Sequence, residues 1–249
     1  MQTRERNREA YVHKGSRTGL LLIHGFTGSP GEMRPLAEHF AQEGYSVTAP
    51  VLAGHCSTVE EMNGTSHSDW IQSAYNAYMD LVCDTDRIIV IGHSMGGLIA
   101  FYLANRYKVA GVVSMCTPIY FADWRAPFTP VISLFKPVHR GRITRNEEIA
   151  QYQGGYDETP LRAMRSLIRL RNVVKDELGA FMAPLLVQQA RRDMTVRPAS
   201  ARYIYDHVGS DSKDIKWYER SGHILPVDVD RKEVWADALA FIRRIERES

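Results

Sequence analysis

The stretch Val90-Ile91-Gly92-His93-Ser94-Met95-Gly96-Gly97, "VIGHSMGG", sets an aliphatic run against a serine enclosed by three glycines. A tight turn needs one glycine, sometimes two. Three around one hydroxyl point to a turn that exists to present that hydroxyl. The segment ending in the turn, "DRIIVIG" (86–92), carries the short β-branched block of a strand buried on both faces. The segment leaving it, "MGGLIAFYLANRY" (95–107), has the length and apolarity of a buried helix. Strand, glycine turn and helix in that order make a βα unit.

The same rhythm recurs on either side. "GLLLIHG" (19–25) is an aliphatic block closed by glycine, and "GEMRPLAEHFAQEGY" (31–45) follows at near-helical spacing with Gly44 as a stop signal. "SVTAPVL" (46–52) reads as a strand and "SDWIQSAYNAYMDLV" (68–82) as a helix capped by Ser68 or a neighbour. "VAGVVSMC" (109–116), "APLLVQQA" (183–190) and "DIKWYER" (214–220) are further strands. Helices "ASARYIYDHV" (199–208) and "DRKEVWADALAFIRRIE" (230–246) fall after the last two. The fold class is therefore α/β: a mostly parallel central sheet with helices on both faces. The rhythm breaks between residues 118 and 180, where Pro118, Pro127, Pro130, Pro137 and Pro160 fall and no buried strand is evident. That stretch reads as a small helical cap inserted into a single domain spanning residues 1–249, with a long helical crossover as the alternative.

Composition narrows the function. Of 249 residues, 44% are hydrophobic and 24% charged, an ordinary globular balance. Lys plus Arg (31) nearly cancel Asp plus Glu (29), and no basic stripe is interleaved with aromatics, which argues against nucleic acid. The polar start, "MQTRERNREAYVHKGSRTG", has no apolar signal region, and no apolar run approaches the length of a membrane span. Cys56, Cys83 and Cys116 fit neither a disulfide framework nor a zinc pattern, so the expected setting is a reducing cytoplasm. Oligomeric state is not readable.

Gly92-His93-Ser94-Met95-Gly96 matches G-x-S-x-G, the nucleophile elbow, in the strand-to-helix context that motif demands. A serine hydroxyl needs an adjacent base, and histidine titrates in the right range. His223, in "ERSGHILP" after the strand 214–220, falls on the same carboxyl-end rim as Ser94. His93 should leave the turn on another side. His39 and His207 sit mid-helix, and His13, His55, His67 and His139 read as solvated. The orienting acid should lie between serine and histidine in sequence. Asp193, in "LLVQQARRDMTV", follows the strand 183–190 and fits. Asp228 and Asp230 read as caps of the helix after them. Oxyanion donors are expected from the backbone N–H of Met95, directly after the serine, and of Phe26 in "LLLIHGFTGSP". His24 reads as a structural tie within that loop.

These elements, in this order, resemble the α/β-hydrolases. The segments "LLLIHGFTGSPGEMRPLAEHFAQEGYSVTAP", "GHSMGG", "QARRDMTVRPASA" and "IKWYERSGHIL" are similar to the small bacterial carboxylesterases and thermostable monoacylglycerol lipases, over nearly the whole chain outside residues 120–155. The resemblance implies a cap, no metal or cofactor, and hydrolysis of short-to-medium acyl esters or monoglycerides by Ser94, His223 and Asp193 through an acyl-enzyme, with Phe26 and Met95 as oxyanion donors. It also places Asp157, in "YDETP", where the monoglyceride lipases carry an acidic residue against the glycerol; a solvated turn carboxylate is the other reading. Trp124, Phe128, Ile132, Leu134 and Phe135 would line an acyl tunnel or fasten the cap. The basic run Arg162, Arg165, Arg169, Arg171 and Lys175 would attract anionic surfaces or form a solvated helix face. A thioesterase or acyltransferase would use the same triad, and a non-catalytic receptor-type member is a further alternative.

Overall fold

The computed structural model describes residues 5–123, 138–139, 149–152, 156 and 158–248. The strands are β1 (Tyr11–His13), β2 (Thr18–Ile23), β3 (Ser46–Ala49), β4 (Arg87–His93), β5 (Gly111–Met115), β6 (Val138–His139), β7 (Thr159–Pro160), β8 (Leu185–Ala190) and β9 (Lys213–Tyr218). The helices are α1 (Arg34–Gln42), α2 (Val59–Asn63), α3 (His67–Asp84), α4 (Met95–Ala104), α5 (Leu161–Glu177), α6 (Ala199–His207) and α7 (Arg231–Glu248). Seven strands form one sheet in the order β1-β3-β2-β4-β5-β8-β9. All neighbours run parallel except β1, which pairs antiparallel with β3. This is the mostly parallel α/β sheet expected from the alternation of apolar runs.

The aliphatic strands face both ways because both faces are covered. In β2, Leu21 and Ile23 join one core cluster and Leu20 and Leu22 the other. In β4, Ile88 and Val90 divide from Ile89 and Ile91 in the same way. Helices α3, α4, α5 and α6 close the first face with Trp70, Phe101, Leu170 and Ile204. Helices α1 and α7 close the second with Phe40, Val234 and Ile242. Helix α4 is buried almost throughout, which accounts for its lack of a polar stripe. Each fully buried aliphatic side chain stabilises by about 1.5–3 kcal/mol, so these two layers dominate the stability.

Two local readings change. The cap of α3 is Ser66, two residues before Ser68: the Asp69 carboxylate accepts from both its N–H and its hydroxyl, each at 2.8 Å. The three-residue edge strand β1 lay unseen in a segment that reads as polar.

Within the 118–180 stretch, helix α5 sits on the main core, with Ala163, Leu167, Leu170 and Val174 in the same cluster as Phe101. Its basic residues are partly engaged. Arg171 lies over the Phe121 ring at 5.8 Å, and Lys175 over Tyr120 and Tyr203 at 5.3 and 5.1 Å. Asp157 and the apolar group Trp124, Phe128, Ile132, Leu134 and Phe135 lie outside the described residues. Among the described residues no helix is long and apolar enough to cross a membrane.

Candidate active site

Ser94 is the single residue between β4 and α4, with φ 53° and ψ −118°. That backbone lies outside the regions an L-residue ordinarily occupies, and the surroundings must impose it. The glycines do so by letting three backbones meet. A Cβ on Gly92 would overlap the Gly96 carbonyl, and one on Gly96 would overlap the Ile23 carbonyl. The Ser94 N–H donates to the Met115 carbonyl of the adjacent strand at 2.8 Å, fastening the turn to the sheet.

The hydroxyl so presented stands 3.1 Å from His223 Nε2. On the far side of the ring, Nδ1 is 2.8 Å from Asp193 Oδ2. Asp193 lies past the end of β8, and His223 lies between β9 and α7, so the structure gathers all three residues at one rim. The Asp193 side chain is fully buried, and that of His223 is 17% exposed. Burial pushes the Asp193 carboxyl up, but the bond from His223 and the N–H groups of Thr195 and Val196, each 2.8 Å from Oδ1, outweigh it and hold the group below the usual carboxylate range. An ionised Asp193 can only accept. Nδ1 therefore carries the proton, and the lone pair of Nε2 faces the serine hydroxyl.

Met95 opens α4, where N–H groups have no intrahelical partner, and Phe26 lies in the loop after β2. Among the described residues no backbone carbonyl accepts from either N–H. The Phe26 loop is tied down by two buried imidazoles. His24 Nδ1 donates to the Gly25 carbonyl at 2.9 Å, and its Nε2 accepts the Leu52 N–H at 3.3 Å. Burial, with His55 adding to it, lowers the His24 pKa to about 3. His55 packs 4.8 Å from His24 and 5.9 Å from Trp70, ring to ring, and donates from Nδ1 to the Ala53 carbonyl at 3.1 Å. Its pKa is lowered to about 4 by burial. The expectation of a solvated His55 is corrected: the Trp70 and His24 rings pack against it, contacts between segments that local polarity does not reveal. His67 is also engaged, its N–H donating to Ser166 Oγ and its Nδ1 bonded to the same hydroxyl, both at 2.8 Å.

His93 turns away from the serine, as expected of a neighbour in a tight turn. Its Nε2 donates to the His223 carbonyl at 2.8 Å, and its Nδ1 lies 3.4 Å from the buried carboxylate of Glu32. Burial pushes the Glu32 carboxyl up, yet His93, His24 and the Gly25 N–H together bring it below its ordinary value. Glu32 was not singled out in the sequence, where it reads as one more polar residue near a helix start.

Asp230 turns its carboxylate to the His223 loop, and Asp228 divides its own between that loop and the Val229 N–H just ahead of the helix. Asp230 accepts from the N–H of Arg220 and Ser221, the Ser221 hydroxyl and Arg220 Nε, at 2.7–3.0 Å. Asp228 accepts the Gly222 N–H at 2.7 Å.

Cys116 Sγ lies within 4.8 Å of the ligand atoms of Asp193 and His223. Burial, then Asp193, pushes its thiol well above the usual range, so it stays protonated and is a poor metal donor.

The family model of the serine aminopeptidases, S33, matches residues 15–230. The chain belongs to that family of α/β-hydrolases. A carboxylesterase of Bacillus subtilis (strain 168) is 29% identical over 237 residues, covering 95% of this chain and 96% of that one. A thermostable monoacylglycerol lipase of Bacillus sp. (strain H-257) is 31% identical over 238 residues, covering 95% and 94%. Among solved structures, a chain from a study of LipS and LipT, two metagenome-derived lipolytic enzymes, superposes with a TM-score of 0.90 at 32% identity, covering 96% of this chain and 98% of that one. The monoacylglycerol lipase of Paleococcus ferrophilus shares the fold, with a TM-score of 0.78 at 17% identity over 95% and 99%. With these relatives the chain is a hydrolase.

Proposed function

We propose that this hydrolase cleaves carboxylic esters, with short-to-medium acyl esters or monoacylglycerols as substrates, through Ser94, His223 and Asp193. The observation that carries the reading is the hydrogen-bonded run from the Ser94 hydroxyl (3.1 Å) through the His223 ring to the buried Asp193 carboxylate (2.8 Å). The substrate class is supported by the relatives named as a carboxylesterase and a monoacylglycerol lipase, each matched over most of its length.

His223 Nε2 takes the Ser94 proton as Oγ bonds to the ester carbonyl carbon, and the carbonyl π-electrons move onto oxygen. The N–H groups of Phe26 and Met95 bind that oxyanion. Collapse of the tetrahedral adduct breaks the carbon–oxygen bond to the alcohol, which leaves with the proton from His223. Water, deprotonated by the same nitrogen, attacks the acyl-enzyme, and the acid departs as Oγ regains its proton. Asp193 keeps the proton on Nδ1 and stabilises the imidazolium. On this reading residues 118–180 are a cap inserted into a single domain, α5 is the part of it packed on the core, and Asp157 is the candidate contact for the alcohol. The three unpaired cysteines suit a reducing compartment.

The test is covalent. A fluorophosphonate should label the wild-type protein at Ser94 alone. Ser94→Ala should take no label and lose on the order of 10⁶-fold in kcat on p-nitrophenyl esters. Substantial turnover by Ser94→Ala refutes the assignment. Matched oxygen esters, thioesters and monoacylglycerols of increasing chain length then fix the leaving group and acyl range.

A further inference from the structure

Behind the elbow lies a second carboxylate–imidazole pair. Glu32 closes the short turn Pro30–Glu32 and is buried. Its Oε2 accepts the Gly25 N–H at 3.3 Å and stands 3.4 Å from His93 Nδ1. His93 Nε2 in turn lies 2.8 Å from the His223 carbonyl oxygen. One run of polar contacts therefore joins the loop of Phe26, the residue before Ser94 and the loop of His223.

Proton accounting makes this run directional. A carbonyl only accepts, so His93 Nε2 carries a hydrogen. Nδ1, which has no hydrogen-bond partner, faces Oε2 at 3.4 Å away from water, where two bare lone pairs repel and a proton on either atom makes the contact favourable. The backbone makes room for the carboxylate. A Cβ on Gly28 would overlap it, and Gly28 itself closes the loop by donating to the Gly25 carbonyl at 3.1 Å.

None of these groups touches the reacting atoms. We propose that Glu32 is a positioning residue: holding the Gly25 N–H on one side and His93 on the other, it fixes the spacing between the oxyanion donor Phe26 and the base His223. This rests on the ester-hydrolase reading above. A pair that only stabilised the fold would leave the turnover of folded protein untouched. A pair that sets this spacing acts on the transition state, where the donors and base must fit together.

The test compares three variants on a p-nitrophenyl ester. Glu32→Leu keeps the volume and removes the acceptor. Its kcat should fall by about tenfold or more with KM moved by less than about threefold, and fluorophosphonate labelling of Ser94 should slow in step. Glu32→Gln should restore at least about a third of wild-type kcat, because Oε1 takes the Gly25 N–H and the amide donates to Nδ1. Gly28→Ala pushes the carboxylate off its seat and should reproduce the loss, and it decides the matter if Glu32→Leu does not unfold cooperatively. Wild-type kcat in either disrupting variant, equal losses in Gln and Leu, or a loss confined to KM overturns the proposal. Wild-type protein that takes no label at Ser94 sinks the ester-hydrolase reading instead, so the two failures are distinct.

Discussion

Acid should unfold this protein earlier than its carboxylates alone dictate, because the loop of Phe26 rests on two imidazoles buried in neutral form. In the folded state the His24 and His55 pKa values are lowered to about 3 and about 4, against an ordinary value of 6.5. The unfolded chain binds both protons below pH 6.5, and the folded chain binds neither until well below pH 5. Stability is therefore complete above about pH 7 and falls as pH drops from 6.5 towards 4. At pH 5 each histidine has removed about 2 kcal/mol relative to pH 7, together about 4 kcal/mol. That is a large share of the roughly 5–15 kcal/mol typical of a domain. Glu32, Asp193 and Asp230, whose carboxyls are held low, lose their contribution only as pH falls through the carboxylate range, so the window between pH 6.5 and 5 isolates the imidazoles. Urea unfolding followed by tryptophan fluorescence at pH 7, 6 and 5 measures this directly. His24→Gln and His55→Gln should each flatten the slope by nearly half, since each removes one of the two main protons taken up on unfolding, with half-buried His67, whose pKa burial also lowers, adding a smaller part. Stability equal within about 1 kcal/mol at pH 7 and pH 5, or an unchanged slope in the double variant, refutes the reasoning.

Other expected outcomes follow from single contacts. Asp193→Asn should lower kcat on the order of 10⁴-fold, because an amide can present the wrong partner to Nδ1; steady-state kinetics on a p-nitrophenyl ester decides it. Asp230→Ala should cost about 3 kcal/mol in urea unfolding and also reduce kcat, since several donors of the His223 loop lose their acceptor. Gly96→Ala should destabilise by about 3 kcal/mol, because its methyl meets the Ile23 carbonyl, a backbone atom with no rotamer to yield. Cys83, which is exposed, should react with a maleimide in native buffer, whereas buried Cys116 should react only on unfolding, as read by mass spectrometry.

The sequence carried the fold wherever burial was two-sided. Leu20–Ile23 and Ile88–Ile91 are uninterrupted aliphatic runs because helices cover both of their faces. The edge strand Tyr11–His13 lacks that signature: it is three residues long, and Val12 at its centre is 65% exposed. Glycine spacing around Ser94 was readable because backbone crowding acts on a local motif. Ser94, Asp193 and His223 emerged from their places beyond the carboxyl ends of β4, β8 and β9, and His223 lies within hydrogen-bond reach of the other two. The supporting polar groups did not emerge. Glu32 meets His93 across 61 positions of chain, and that contact depends on how the β2 loop folds back over the elbow. Asp228 and Asp230 stand where helix caps belong, so local spacing assigned their carboxylates to the helix rather than to the preceding loop.

That allegiance ties His223 to an element far from Ser94. The His223 loop hangs from carboxylates at the start of α7, and α7 is seated on the sheet by Val234, Ala238 and Ile242. Partial detachment of α7 would release His223 while the parallel strands stayed paired. Local openings of this kind lie below the global unfolding energy. Under rising denaturant, hydrolysis should therefore fade at a lower midpoint than the far-ultraviolet circular dichroism, and activity becomes a gauge of one helix docking rather than of the whole molecule.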